Sequence, residues 1–252
     1  MAKARFIYNR WRNGTIGATL TSEKPQHPAT DTQIDTKTMF WRSVNDTVDP
    51  TVLPCDLGDE YDIDFVALLG HNIPDSSQIY FEGADNEDFE GDDLETIELD
   101  HNATDIFQFF TSFKKQWVQV KIETPDNDDN YIEIANVICG KYFEPNCNFD
   151  WRYPEGDVDP SEISYSDSMV VFAQEKDGIF RGEYLFDSLT DTAVASVQEL
   201  ITLCGIHKAF VMCFDSANAN TQSRWVRLLE VSRPEAIFHD IWSWSCPIEE
   251  VK

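Results

Sequence analysis

The stretch Cys55–Ile73, CDLGDEYDIDFVALLGHNI, joins an acidic turn to an almost uncharged strand and ends on Gly70-His71-Asn72. Asp56-Leu57-Gly58 reads as a turn whose glycine supplies a backbone angle that other residues resist. The run FVALLG then has the composition of a strand entering a core. His71 and Asn72 fall just past its end, on a rim where loops meet a ligand or a neighbouring subunit. The stretch is therefore a catalytic turn, a sugar-binding edge or the corner of a structural barrel, and the rest of the chain has to decide.

Outward from it, the pattern is mostly β. QIYFEG places Ile79, Phe81 and Gly83 on one side, and WVQVKIE alternates Val118, Val120 and Ile122 against Gln119 and Lys121. YIEIANVI continues with Ile132 and Ile134. Period-two alternation in short runs, punctuated by PDSS (74–77), DNEDFEGDD (85–93) and PDNDDN (125–130), predicts an antiparallel sandwich or barrel. The Pro-, Asn- and acid-rich segment 143–162 reads as a boundary, giving domains 1–143 and 144–252. After it, strands are expected at about 168–174, 178–187, 208–214 and 224–232. One helix is expected over about 191–204. Thr190 or Asp191 caps its start, Val194, Val197, Ile201 and Cys204 form its apolar face, and Gly205 sits at its C-terminal cap.

The 252 residues carry 46 Asp and Glu against 19 Lys and Arg, a formal net charge of −27. Nucleic acid binding requires clustered cations, so direct binding is not expected. From residue 43 to residue 113 there is no Lys or Arg, and nineteen Asp or Glu. The first 24 residues are the reverse: Lys3, Arg5, Arg10, Arg12 and Lys24 face only Glu23. No apolar run approaches the roughly 18 residues of a membrane span. The N-terminus also lacks a signal peptide's apolar segment, so synthesis in a cytoplasm is expected.

Chemistry is hard to find. There is no Gly-x-Ser-x-Gly elbow, no His-Glu-x-x-His and no phosphate loop. Five scattered histidines offer no pair on one helix face. Acid pairs of the kind glycosidases use are too abundant to single one out. The six cysteines include no C-x-x-C pair, so no metal site is read from them, and most sit in apolar strings as small core residues. DNEDFEGDDLE offers oxygen ligands for calcium but does not fit the twelve-residue loop pattern. No catalytic residue, cofactor or metal site is assigned.

From Trp41 to Gly140, the order of FWRS (40–43), DLG (56–58), IDFVALLGHN (63–72), IYFEGADNEDF (79–89) and KQWVQVKI (115–122) resembles the discoidin family of galactose-binding-like jelly rolls. The second half resembles the small β-domains of tailed-phage tail-tip and minor tail proteins. Arg181, Thr190, Gly205, HKAF (207–210) and IEE (248–250) hold that family's places, with Ala209 where proline is usual. Together they imply a mainly β chain: a galactose-binding-like jelly-roll sandwich followed by a small β-barrel domain with one helix. The resemblance implies a structural virion component of a phage tail tip, of the minor or distal tail type. It would assemble as a homo-oligomeric ring and join the tail tube to hub and tip proteins. An acidic lumen would repel passing DNA, and Lys3, Arg5, Arg10 and Arg12 would dock on an acidic neighbour. The alternative is a lectin-like module that recognises a host-surface glycan. Trp41, Arg42, His71 and Asn72 would then supply the contacts, joined by Trp11 or Tyr61.

Overall fold

A computed structural model of the chain describes residues 3–17, 24–44, 50–123, 127–150, 154–165, 171–174 and 176–252. Of the strand expected at 168–174, residues 168–170 lie outside the described residues, as do 151–153 of the boundary segment. In chain order the strands are β1 (Arg5–Ile7), β2 (Thr15–Ile16), β3 (Trp41–Arg42), β4 (Thr51–His71), β5 (Gln78–Ala84), β6 (Glu95–Leu99), β7 (Asp105–Glu123), β8 (Glu133–Gly140) and β9 (Tyr142–Phe143). They continue with β10 (Glu155–Val158), β11 (Glu162–Tyr165), β12 (Val171–Gln174) and β13 (Ile179–Leu189). Helix α1 (Asp191–Cys204) precedes β14 (Phe210–Cys213), and a one-turn α2 (Ala219–Gln222) precedes β15 (Ser223–Leu228), β16 (Glu235–Phe238) and β17 (Ile241–Glu250). The fold is mainly β, and no helix among the described residues is long and apolar enough to cross a membrane.

Two compact units divide the chain: Met1–Glu144 with Phe210–Ser223, and Pro145–Ala209 with Arg224–Lys252. Sequence placed everything after the boundary in one C-terminal domain. In the structure, Phe210–Ser223 belongs to the first unit: Ile7 pairs with Val211, and the Asn220 side chain accepts from the Phe107 N–H at 2.8 Å.

The first unit is an antiparallel jelly-roll sandwich built on two long strands. Thr51–Asp56 of β4 pairs with Trp117–Ile122 of β7, and that half of β7 also pairs with β5, which pairs with β6. Ile63–Leu69 of β4 pairs with Asp105–Phe113 of β7 on one side and with β8 on the other, and β8 pairs with β3. Both long strands therefore serve two layers. The register breaks between Asp56 and Tyr61, where Gly58 adopts φ +82° and donates its N–H to Asp56 Oδ1 at 2.8 Å. This is the turn read from the opening stretch, placed within a strand as a bulge. Ile79, Phe81, Val118, Val120, Ile122, Ile132 and Ile134 all face the core, as their alternation predicts.

In the second unit β10, β13, β17 and β15 pair in that order, and β16 pairs with β17. Every second residue of β13 from Phe180 to Phe186 faces inward, and Phe186 stacks on Trp244 at 5.6 Å between centroids. Glu249 is buried and held by Arg181 at 2.8 Å and by Arg227 Nε at 2.8 Å. Helix α1 spans the expected residues. Thr190 caps it by accepting from the Ala193 N–H, and Gly205 ends it with φ +55°.

The buried face of α1 differs by one position from the expected one. Ala193, Val194, Val197, Leu200 and Cys204 are buried, whereas Ile201 lies on the flank, half-buried. Both are i+3 or i+4 from Val197, so spacing alone does not choose between them. Leu200 is 3% exposed, and its truncation to alanine is expected to cost about 2–5 kcal/mol. Ile201→Ala should cost clearly less. Urea unfolding of the two variants checks this, and equal losses would overturn the face assignment.

Candidate functional site

The residues proposed for a sugar-binding rim lie at one end of the first unit, but they are spent on the fold. Trp41 pairs with Ile134 and is 0% exposed within the core, so it offers no ring face to a ligand, which corrects its assignment as a contact residue. Trp11 is equally buried, its indole N–H donated to Thr32 Oγ1 at 3.0 Å. Arg42 donates from Nε to Glu133 Oε1 at 2.6 Å, and its guanidinium lies 4.1 Å from the Tyr131 ring centroid and 5.2 Å from that of Phe40. His27 stacks on Phe40 at 4.6 Å, and the Lys24 ammonium lies 4.8 Å from the Tyr131 centroid. The half-buried rings of Phe40 and Tyr131 thus each already have two partners from the chain itself.

Asn72 is similarly engaged. Its Nδ2 donates to Asp129 Oδ2 and to the Tyr131 carbonyl, both at 3.1 Å, and its Oδ1 accepts from the Glu133 N–H at 2.6 Å. The structure brings Arg42 and Asn72 together around Glu133 as a brace between strand ends. His71 lies beneath this rim. Its Nδ1 accepts from the Ile73 N–H at 3.2 Å, and its ring meets that of His101 edge-on at 5.7 Å. His101 in turn lies 2.8 Å from Asp75 Oδ1 and 2.9 Å from the Ile73 carbonyl.

The basic N-terminal segment is no free arm. Phe6 and Ile7 are fully buried in β1. Arg5 pairs with Glu144 at 3.1 Å and lies over Tyr142 at 4.0 Å; Lys3 reaches the same carboxylate at 3.6 Å. Arg10 lies over Tyr61 at 4.5 Å, and Arg12 pairs with Asp35. Lys3, Arg5, Arg10 and Arg12 were expected to dock an acidic neighbour because no acid is near them in sequence. The fold brings Asp35 and Glu144 to them from farther along the chain.

The first unit does carry an open site on the outer face of the β5–β7–β4 layer, which the sequence reading missed. Core-facing residues alternate with outward ones, so Glu82, Gln119 and Pro54 form one cross-strand row, and Tyr80, Lys121 and Val52 form the next. Over Glu82, Gln119, Pro54, Lys121 and Val52 of these rows lies a cleft of about 430 Å³, walled by Pro50, Phe89, Leu94 and the acids Glu87, Asp88 and Glu90. Its volume falls within the range of small-molecule sites, roughly 300–1,000 Å³. The wall is shaped locally: Asn86 Oδ1 accepts from the Asp88 N–H at 3.2 Å, its Nδ2 donates to the Glu90 carbonyl at 3.3 Å, and Phe89 takes φ +51°. Glu82, though charged, is only 5% exposed. Gln119 donates to its Oε2, and the Lys121 ammonium lies 3.8 Å from its Oε1 and 2.7 Å from Glu123. Among the described residues, no group of three or more His, Cys, Asp or Glu is placed to hold a metal ion.

No family model matches the chain, and no curated protein matches it. Solved structures do. A Clostridium perfringens module, CpGH89CBM32-5 in complex with GalNAc-β-1,3-galactose, is 16% identical with a TM-score of 0.42, over 53% of this chain and 100% of that one. Chitosan-binding module 1 from a Paenibacillus chitosanase/glucanase gives 16% and 0.42, over 53% and 99%. The family 32 carbohydrate-binding module of C. perfringens NanJ, in complex with galactose, gives 15% and 0.41, over 56% and 99%. Likeness at this level is one of fold and assigns no ligand.

His71 makes stability depend on pH. Burial, and then the neighbouring His101, push its pKa from the ordinary 6.5 down to about 4. The unfolded chain takes up a proton at higher pH than the folded one. Stability from the neutral ring is therefore fully present above about pH 6.5 and is lost as pH falls through about 4. The loss is on the order of 2–3 kcal/mol. Chemical unfolding of wild type and His71→Gln between pH 7.5 and 4 tests this: the variant should show the shallower decline, and parallel curves would overturn it.

Proposed function

We propose that this chain is a non-catalytic carbohydrate-binding protein, with the sugar seated in the cleft over the β5–β7–β4 face. The observation that carries the reading is the mixed floor: a buried carboxylate, an amide and an ammonium lie on neighbouring strands beside Pro54, Pro50, Phe89 and Leu94. Sugars present hydroxyls around a ring that also has apolar C–H faces. A site for them needs a few convergent polar groups and an apolar wall. Strand pairing sets Glu82 opposite Gln119 with side-chain origins about 5 Å apart, so the polar groups are held by the fold and not by a loop. A glycan array followed by calorimetry tests the reading. Glu82→Ala and Gln119→Ala should each weaken binding by about tenfold or more, the worth of a hydrogen bond involving a charged group. A wild-type protein that binds no glycan, or variants that bind like wild type, would sink it.

The same protein fits a structural place in a phage tail tip, made in a bacterial cytoplasm and assembled as a homo-oligomeric ring with tail tube and hub proteins. What favours this second reading is the β16–β17 hairpin of the second unit. Phe238 is 76% exposed at its turn, next to Ile237 at 52% and Ile241 at 41%. Contiguous apolar surface of this kind marks interaction sites in soluble proteins. Sedimentation at micromolar concentration should show an oligomer that Phe238→Glu dissociates. A wild-type monomer would count against the ring.

A further inference from the structure

We infer that His71 and His101 form an acid-sensitive latch, which holds the turn Ile73–Ser77 between β4 and β5 in place and releases it when His71 takes up a proton. Ile73 is gripped from both sides. Its N–H donates to His71 Nδ1 at 3.2 Å, and its carbonyl accepts from His101 Nε2 at 2.9 Å. His101 Nδ1 lies 2.8 Å from Asp75 Oδ1, so the same ring also holds the turn farther along. A carbonyl and a carboxylate only accept, so His101 keeps both bonds as the imidazolium. The Ile73 N–H demands the opposite of His71: a lone pair on Nδ1, and hence a neutral ring. The two rings meet edge-on with centroids 5.7 Å apart, one required charged and the other uncharged. Histidines so placed act as sensors of mild acid.

Protonation of His71 undoes the grip in three ways. Nδ1 becomes a donor facing the donor of Ile73. The new charge meets that of His101. It also falls on the core side of the sheet: His71 pairs with Ile134, which pairs in turn with Trp41, and directly paired residues share a face. Ile134 and Trp41 are fully buried. The other charged groups nearby do not offset this. Asp105 and the Asn102 backbone favour the cation, but less than burial and His101 oppose it. Asp105 is already engaged by Lys37 at 2.7 Å and by the Gly70 N–H at 2.8 Å. Glu133 pairs with Arg42, Asp129 accepts from Asn72, and the Asp75 side chain is 88% exposed, where water screens it. Asn72 itself is braced without either histidine, by Asp129, Tyr131, Glu133 and the Asn127 amide. Release therefore begins at Ile73, a core residue that is 4% exposed while the turn is closed. None of the latch residues lines the glycan cleft, so failure of either reading leaves the other standing.

Opening returns His71 to its ordinary 6.5, against about 4 in the closed turn. The closed turn thus has its full stability above about pH 6.5 and loses it as pH falls through about 4. Between pH 7.5 and 5 the opening equilibrium should rise about thirtyfold. Amide hydrogen exchange of the full chain by NMR, corrected for the pH dependence of intrinsic exchange, reads this directly. Protection of the Ile73 amide should fall about thirtyfold over that range, while the amides of Val66, Leu68 and Glu133 keep theirs. At pH 7.5 the ring nitrogens of His71 should report the Nε2–H tautomer. His71→Asn sets an amide oxygen where Nδ1 stands, with nothing to titrate, and should abolish the fall. His101→Gln keeps a donor for the Ile73 carbonyl without the charge, so the fall should shrink but persist. Constant Ile73 protection in the wild type overturns the latch, as does an Nδ1–H tautomer at His71. So does a fall of wild-type size in either variant, or loss of Ile73 protection in step with Val66 and Leu68.

Discussion

The first unit depends on one local irregularity, the break in β4 between Asp56 and Tyr61. A strand of this length with an unbroken ladder would keep both its halves in one layer. The left-handed Gly58, the Asp56 side chain that holds its N–H, and the exposed Asp59 and Glu60 release the ladder for a few residues while Leu57 stays tucked inward. The strand then re-pairs with β7 in a shifted register. Bulges sharpen bend and twist in this way. Because β7 follows the same course, two strands connect two layers, and the remaining strands add at their sides. Gln116, donating to Asp56 Oδ1 at 2.8 Å, ties the partner strand to the same point.

Much of this architecture is legible in the sequence, because the pleat turns burial into alternation. Ile79 and Phe81, and Val118, Val120 and Ile122, announce their layer and its inner face without reference to any other element. The glycine of Asp-Leu-Gly announces the turn. What alternation does not encode is long-range pairing. Phe210–Ser223 looks like the continuation of its neighbours along the chain, yet Phe210–Cys213 pairs with β1. The N-terminal arginines look unpaired because Asp35 and Glu144 are distant in sequence. Trp41 looks like a ligand platform because core tryptophans and sugar-stacking tryptophans are the same residue. Only the packing of β3 beside β8 separates the two.

The candidate site was hidden for a different reason. Glu82 is one of forty-six acids, and in QIYFEG it occupies an outward position where a charge is unremarkable. In the structure it is buried, paired across the strands with Gln119, in a cleft that it shares with Glu87–Glu90. The available signal was the pairing of two outward residues, Glu82 and Gln119, on strands whose inner faces were already assigned. Two polar groups set opposite each other below an acidic loop describe a floor and a wall. The rim was the more conspicuous place to look, yet its rings and guanidinium form a closed set of mutual contacts. Polar and aromatic residues that satisfy one another brace strand ends and have little left for a ligand.

The row-by-row construction of the cleft floor separates two kinds of selection on the same strands. Glu82, Gln119 and Lys121 are sequence neighbours of Phe81, Val118, Val120 and Ile122, yet the pleat points the two sets to opposite faces. Drift at the outward positions can exchange one recognised chemistry for another while the hydrophobic interior is untouched. Change at the inward positions is held to volume-conserving swaps by close packing. Such a face behaves like interchangeable type set in a fixed frame. Descendants of one ancestral sandwich could diverge in what they recognise long before they diverge in shape.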